Sequence, residues 1–412
     1  MAEYTNFFED KSFDIPYEDD YIEEMKSAVK LFRTFDKALD TFILEHGFKG
    51  DIDNVDEKVS YISDKMKSAG VPIPRNIRKW YTEHKRIERN SKTPFQICFA
   101  FGLSVEEVND FLRRICLSRG LDPHSVEEVV YYFAFKNELG YSDAMGIIEQ
   151  VEKVKPSRIN VDEVIYTDLI ADEIDEIETV EELISYLNEN SCRFEYNNAT
   201  ACNIIKNIWK SITEEDGIAC REKKILYAAF DEDKEEKPDD KKAKKNISAA
   251  KDKGVKKSEE SIWKVYLQIL GLSGDYMKGI CKDRSLKSIL KDGELLHPLA
   301  EESFPDREGL NKILIGEHVS YERVRKVLIL LVFYRFWAVR AIEKKEYKAG
   351  YGDTDRCIAA INDSMVEAGY PLLYAGNPYD FFILVSVNSE YPLVIFREYM
   401  REMFFSSITK DE

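Results

Sequence analysis

The chain has 412 residues, enough for two or three domains that each bury a core. Apolar residues make up 44% and charged residues 33%, with few glycines and prolines, a balance typical of a mostly helical soluble protein. The formal net charge of −18 opposes a general attraction to nucleic acid, so binding of that kind requires a local basic patch.

Seven cysteines are scattered along the chain, and no two of them form a Cys-x-x-Cys pair. This pattern favours a reducing cytosol with buried thiols over a disulfide framework or a zinc site. The N-terminus is acidic and lacks the basic-then-apolar order of a secretion signal. The longest apolar run, Val327 to Tyr334, is too short to cross a bilayer. We therefore predict a soluble, cytoplasmic protein with no membrane partner.

The first 24 residues are strongly acidic, with nine carboxylates against one lysine, and are predicted to form a ragged acidic leader. From Glu23 to His46, apolar residues recur near helical spacing until Gly47. Val55 to Ala69 is a second helical segment, which Gly70 ends. With further helical segments up to residue 154, this pattern predicts an N-terminal helical domain over residues 25–155.

A basic segment over residues 75–92 places Trp80 and Tyr81 among arginines and lysines. Such a patch predicts phosphate binding and stacking of a base. The alternative is a solvated helix in which Glu83 and Glu88 pair with neighbouring bases at helical spacing. The side chains assigned to phosphate here are those of Arg78, Lys79 and Arg86.

The segment that follows has the apolar template of a helix-turn-helix. Gly102 is the turn, and Cys98 supplies a small residue where one is needed. The second helix of this unit carries Glu106 and Glu107 at positions where a helix that binds in a DNA groove needs basic side chains. The case for binding at this end therefore depends on the basic segment before it.

Residues 156–230 are predicted to form a middle helical region. From Asp162 to Glu182 it holds ten acids and no base, yet its apolar residues stay on one stripe, which predicts a helical pair with a charged outer face. The acidic run Asp172 to Glu176 lacks the glycine turn of a calcium loop, so a solvated face is favoured over a metal site. Residues 231–260 have almost no apolar side chain and predict a charged flexible linker, after which a C-terminal helical domain spans 261–412.

A faint internal repeat links the two ends of the chain. Asn109, the Asp122-Pro123 pair and the apolar run after it recur in order as Asn362, Asn377-Pro378 and the run from Phe381 to Val387. The repeat suggests that both ends use one helical module. The second apolar run is predicted to be helical because the neighbouring signals are helical, and a buried strand is the alternative.

The strongest functional signal spans Leu299 to Leu331. It predicts a helix, a tight connection, a second helix ended by Gly316, and a third helix capped by Ser320. Polar residues on the outer face of the second helix are of the types that read bases or phosphates. The residues assigned to a groove are Arg307, Asn311 and Lys312, those assigned to the phosphate backbone are Arg323 and Lys326, and the inward residues are Leu310 and Ile313.

This segment resembles the helix-turn-helix of phage repressors, which places a helix in the DNA major groove. It departs from that pattern at Phe304, where repressors usually carry glycine, and in the acids that surround its surface. More loosely, residues 303–337 and 375–400 resemble segments of uncharacterised helical proteins from anaerobic Gram-positive bacteria and their mobile elements. That resemblance implies a bacterial cytosolic setting and no particular activity. A plain three-helix packing unit is the alternative interpretation of the motif.

The fold predicted from the sequence is all-α, with two helical lobes that contain helix-turn-helix-like units and are joined by a charged flexible tether. The chain shows no glycine-rich phosphate loop, nucleophile elbow or paired metal-ligand spacing, so no catalytic residue, cofactor or metal is predicted. The leading hypothesis is a non-enzymatic regulator or mobile-element accessory factor that binds DNA or RNA through local basic patches. The alternatives are a protein-interaction scaffold whose acidic surface meets a basic partner and, last, an enzyme with an unrecognised helical site. The oligomeric state stays open.

Overall fold

The computed structural model describes residues 2–83, 87, 91–123, 125–151, 172–191, 194, 199–232, 262, 264–272, 307–317 and 319–408. Every regular element in these ranges is helical, which confirms the predicted all-α class. The chain divides into two compact units, in agreement with two lobes. Unit 1 comprises residues 1–30, 199–368 and 372–412, and unit 2 comprises residues 31–198 and 369–371.

The helices follow one another through both units. Unit 1 begins with α1 (Ala2–Asp14), a 3₁₀ turn (Ile15–Tyr17) and α2 (Tyr21–Lys30). Unit 2 contains α3 (Phe35–Glu45), α4 (Val55–Ser68), α5 (Ile77–Thr82), α6 (Thr93–Phe101), α7 (Val105–Asp110), a π-helical turn (Phe111–Ile115), α8 (Val126–Lys136), α9 (Tyr141–Gln150) and α10 (Val180–Glu189). Unit 1 then resumes with α11 (Ala199–Thr213), α12 (Ile218–Glu232), α13 (Arg307–Ile315), α14 (Tyr321–Lys344), α15 (Asp353–Glu367), α16 (Pro378–Val387) and α17 (Pro392–Ile408).

This grouping cuts across the domain boundaries predicted from the sequence. The acidic leader is helical in α1, and Phe8 is buried with its ring centroid 5.2 Å from that of Phe381. Residues 199–230, assigned to a middle region, pack with the C-terminal helices in unit 1. The predicted tether lies outside the described residues, apart from Asp231 and Glu232 at the end of α12.

Helix α14 is the centre of unit 1. Each side chain from Val327 to Tyr334 is at most 1% exposed, so this apolar run is a core helix covered on all sides. The helices that pack around it are α11, α12, α15, α16 and α17. In the part of the chain that the structure describes, no helix combines the length and the apolar character needed to cross a bilayer.

The predicted helical segment from Glu23 to His46 is broken in the structure. Helix α2 ends at Lys30, and α3 starts only after Thr34, whose extended backbone begins the new helix. The break falls at the boundary of the two units, between residues 30 and 31. Apolar spacing continues across it because each half buries its own stripe in a different core.

The internal repeat corresponds to a module that each unit builds with the same hydrogen bonds. In unit 2 the Asn109 side chain accepts from the Leu121 amide at 2.9 Å, and in unit 1 Asn362 accepts from the Leu373 amide at 3.0 Å. In both cases the next amide in the chain donates to a carboxylate six residues later. The module consists of α6 to α9 in unit 2 and of α14 to α17 in unit 1. As predicted, the run from Phe381 to Val387 is helical.

Candidate functional site

The described part of the C-terminal motif contains two helices with a tight turn between them. Helix α13 ends before Gly316, whose φ of +79° is the left-handed conformation that glycine adopts most easily. Leu310 and Ile313 are fully buried, as predicted for inward residues. Ser320 is the N-cap of α14, although its side chain makes no capping hydrogen bond. The first helix of the motif and the turn at Phe304 lie outside the described residues, so the resemblance to repressors stays a prediction.

The residues of this motif that were assigned to nucleic-acid binding occupy different environments. Arg307 opens α13, and Asn311 and Lys312 on the same helix are half-buried. Arg323 is half-buried on α14, and its buried Nε has no hydrogen-bond partner. Lys326 is only 9% exposed, and its ammonium lies 5.8 Å from the ring centroid of Tyr379. Such burial does not fit the phosphate contact assigned to Lys326.

Two basic side chains that were assigned to phosphate in the basic segment of unit 2 have carboxylate partners. Arg78 forms an ion pair with Asp56, and the Lys79 ammonium lies 3.1 Å from the Glu83 carboxylate, four residues on. The pairing of Glu83 at helical spacing is the solvated-helix alternative that the sequence offered. Arg86 lies outside the described residues.

The aromatic residues of the same segment belong to the core. Trp80 is fully buried and Tyr81 is almost so, and the Lys58 ammonium lies 4.2 Å from the Tyr81 ring centroid. Rings in these positions cannot stack a base. The prediction of a stacking patch at Trp80 and Tyr81 is therefore wrong, because helical spacing turned both rings towards the apolar interior.

The apolar segment around Gly102 forms two helices, α6 and α7, joined by a short turn, while its resemblance to a helix-turn-helix stays a prediction. Helix α6 ends at Gly102 with φ +61°, and Cys98 is fully buried. Ser104 and Glu107 form a reciprocal capping box at the start of α7. The backbone hydrogen bond from Ser104 is the main cause of the lowered pKa of Glu107. The exposed face of α7 carries carboxylates, which would be repelled by the phosphates beside a DNA groove.

An acidic groove of about 380 Å³ lies in unit 2, beside the N-terminal end of α10. The Tyr186 hydroxyl donates to the Glu173 carboxylate at 2.7 Å, and Glu182 caps α10 by accepting from the Thr179 amide at 3.1 Å. Among the described residues, those that line the groove are Glu173, Glu176, Ile177, Glu178, Glu182 and Tyr186, and none of these six is a cation. The sequence indicated this feature as the charged outer face of residues 162–182.

Two buried ion pairs in unit 1 escaped sequence reasoning. Arg397 donates to Glu222 at 2.8 and 3.2 Å, and the Tyr334 hydroxyl donates to the same carboxylate at 2.8 Å. Burial by itself raises the pKa of Glu222, but the charge and hydrogen bonds of Arg397 outweigh it and leave that pKa lowered. Arg325 donates to both oxygens of Asp380 at 2.7 Å. The partners are 55 and 175 residues apart, so no local pattern indicates them.

The thiols and carboxylates show no reactive constellation. Burial raises the pKa of the thiols of Cys202 and Cys357. Cys220 differs from the predicted buried thiols because it is exposed. Within the described ranges, no three potential ligand side chains are grouped in a way that could hold a metal ion.

Comparison of the chain with family models, curated proteins and solved structures gives no match.

Proposed function

We propose that the protein is a non-enzymatic interaction scaffold whose acidic groove in unit 2 binds a lysine- or arginine-rich segment of a partner protein. The observation that carries the proposal is the groove itself, where four of the six described lining residues are glutamates. Its Ile177 and Tyr186 provide apolar surface for the aliphatic stems of basic side chains.

The distribution of basic and acidic side chains in unit 2 supports a basic protein partner over a polyanion. Arg78 and Lys79 have carboxylate partners, whereas Glu176, Glu178 and Glu182 are exposed around the groove. A chain with a net charge of −18 also attracts basic partners over long distances and repels nucleic acid.

A titration with a synthetic oligolysine peptide tests the proposal. The wild-type protein should bind the peptide with an affinity that falls as salt is added, since exposed charges are screened. Glu176→Gln combined with Glu178→Gln should weaken binding by about tenfold, the effect of roughly 1.4 kcal/mol. Glu189→Gln is the matched control, because Glu189 is exposed at the end of α10 and does not line the groove. Equal affinity for the double variant and the control would contradict the proposal.

Duplex DNA binding by the C-terminal motif is the second candidate. Lys206 and Arg323 have no ion-pair partner among the described residues, and the Lys206 ammonium lies 3.1 Å from the position that a Cβ would take at Gly316. These bases could hold phosphates beside the turn between α13 and α14. A labelled duplex at low salt should then bind and should lose affinity on Arg307→Ala with Lys312→Ala. If no binding occurs, this candidate fails while the acidic-groove proposal is unaffected.

A further inference from the structure

The two copies of the module differ in the length of the turn after their first helix. In unit 2, three residues (Gly102 to Ser104) connect α6 to α7, whereas in unit 1 eight residues (Lys345 to Gly352) connect α14 to α15. We name the longer connection the Tyr351 turn. An insertion in one copy of a repeated unit falls in a surface loop, and such loops commonly carry binding functions.

The Tyr351 turn is held firmly at several points. The Ala349 amide donates to the backbone carbonyl of Glu390 at 2.8 Å, and the Gly350 amide donates to the Asp353 carboxylate at 3.0 Å. The Tyr347 hydroxyl reaches the buried Glu222 at 3.2 Å. These contacts hold the backbone of the connection on both sides of its outermost residue.

That outermost side chain is an aromatic ring. Tyr351 has a relative exposure of 104%, so its ring makes almost no contact with the protein. It is flanked by Gly350 and Gly352, which leave both faces of the ring open to solvent. An exposed aromatic face is the element on which proteins stack the bases of single strands.

Cations gather around Asp353, whose carboxylate accepts a hydrogen bond from the Gly350 amide of the Tyr351 turn. The buried Asp353 carboxylate lies 2.9 Å from the Lys344 ammonium, 3.6 Å from Arg340 and 3.4 Å from Arg356. One carboxylate thus faces three basic side chains, of which Arg340 also pairs with Glu343 at 3.5 Å. Residues 340–356 hold five bases and four acids, whereas the whole chain holds 59 and 77. The turn is therefore less acidic than the chain around it.

We propose that the Tyr351 turn binds single-stranded nucleic acid. A phosphate is held by Lys344, Arg340 and Arg356, and a neighbouring base stacks on the exposed ring of Tyr351. This contact pattern reads no sequence, because every base has a face that can stack and every nucleotide carries a phosphate. The site is separate from the acidic groove and does not depend on it.

The test is fluorescence anisotropy of labelled 20-nucleotide oligothymidine and oligouridine with the full chain at low salt. The wild-type protein should bind both oligonucleotides, and Tyr351→Ala should weaken binding by about tenfold. Arg356→Gln should lower the slope of log affinity against log salt by about 0.7, the value for one lost phosphate contact on a single strand. Tyr391→Ala is the matched control, since it removes another partly exposed tyrosine ring from unit 1.

Circular dichroism of each variant verifies that the fold is kept, as expected for a ring without core contacts. The proposal is overturned if neither oligonucleotide binds or if Tyr351→Ala binds as tightly as the wild type. It is also overturned if an oligoglutamate peptide of equal charge binds with the same dependence on Tyr351, because the surface would then recognise an acidic protein. Failure of oligolysine binding leaves this result unchanged, so the two proposals are judged independently.

Discussion

In each copy of the module, a carboxylate accepts a hydrogen bond from the loop between the second and third helices. The two carboxylates lie in different environments. In unit 2, Glu128 accepts from the loop and is itself buried, but its ion-pair partner Arg119 is 25% exposed. Asp380 does the same in unit 1 but is completely buried, and it also accepts two hydrogen bonds from Arg325 of α14. The second carboxylate therefore joins the loop to the core helix as well as to its own helix.

This difference teaches that one hydrogen-bond pattern can have different energetic weight in two copies. Taking Asp380 and Arg325 out of water costs several kcal/mol each, a cost that their mutual contact and the loop hydrogen bond to Asp380 help to offset. The Glu128 pair stays partly solvated, so it costs less to form and less to lose. Each of the following variants alters one part of this comparison.

The largest effect is expected for Asp380→Asn. The change removes the charged carboxylate that accepts two hydrogen bonds from the buried Arg325 guanidinium and should lower the free energy of unfolding by roughly 3–5 kcal/mol. Urea denaturation followed by circular dichroism measures this loss. Glu390→Gln is the control, because it removes an ion pair with Lys348 in which both side chains are about half exposed. A loss below about 1 kcal/mol for Asp380→Asn would show that Arg325 finds another partner.

A smaller effect is expected for the equivalent change in unit 2, Glu128→Gln. The side-chain oxygen of the new glutamine can still accept a hydrogen bond from the backbone amide of Asp122. The partly exposed Arg119 can pair with Asp122 or be solvated by water. The loss should be about 1–2 kcal/mol, within the range for a hydrogen bond to a charged group. The same denaturation experiment compares both variants. If Glu128→Gln cost as much as Asp380→Asn, burial would not explain the difference between the copies.

The two loop-capping asparagines should give nearly equal effects. Asn109→Ala and Asn362→Ala each remove one acceptor from a part-buried backbone amide, at Leu121 and Leu373. Each should destabilise by about 1 kcal/mol and speed amide hydrogen exchange in its own loop only. Exchange followed by mass spectrometry separates the two loops. Unequal effects would mean that the equivalence of the copies ends at their backbone pattern.

The smallest effect concerns pH and the acids that begin the second helix of each copy. The pKa of Glu107 is lowered mainly by the Ser104 amide, and that of Asp353 is lowered by Lys344 and Gly350 in spite of burial. Both folded-state pKa values lie below the ordinary values of 4.5 and 3.8. The ionised carboxylates therefore contribute their full stabilisation of the folded state above those values. This contribution is lost as the pH falls through the lowered pKa values of the folded state. Hydrogen exchange at the starts of α7 and α15 should rise over that range, and Glu107→Gln should remove the rise in α7 alone.

Much of the helical architecture was predictable from periodicity and end signals. The segment before Gly70 became α4, and the apolar template around Gly102 became α6 and α7. These predictions succeeded because a helix needs only a local stripe and a local stop. The break at residues 31–34 was missed because no glycine or proline marks it.

The candidate site was less predictable than the fold. Residue type suggested Arg78 and Lys326 as ligands of phosphate, but an aspartate 22 residues away pairs with the first and the core covers the second. Conversely, Tyr351 stood out in the structure without any sequence signal. Whether a lysine or arginine side chain can contact a phosphate depends on which carboxylates the fold brings close to it. The spacing of residues along one helix does not reveal those tertiary contacts.

The sequence alone determined the helical class, the charge and the repeated order of asparagine, loop and apolar helix, since these depend on composition and on contacts within about a dozen residues. The tertiary structure alone decided that Arg397 reaches Glu222, that the leader packs on α16, and that one tyrosine stays outside every core. The physical reason is that burial and ion pairing are settled by residues that meet across more than a hundred positions of chain.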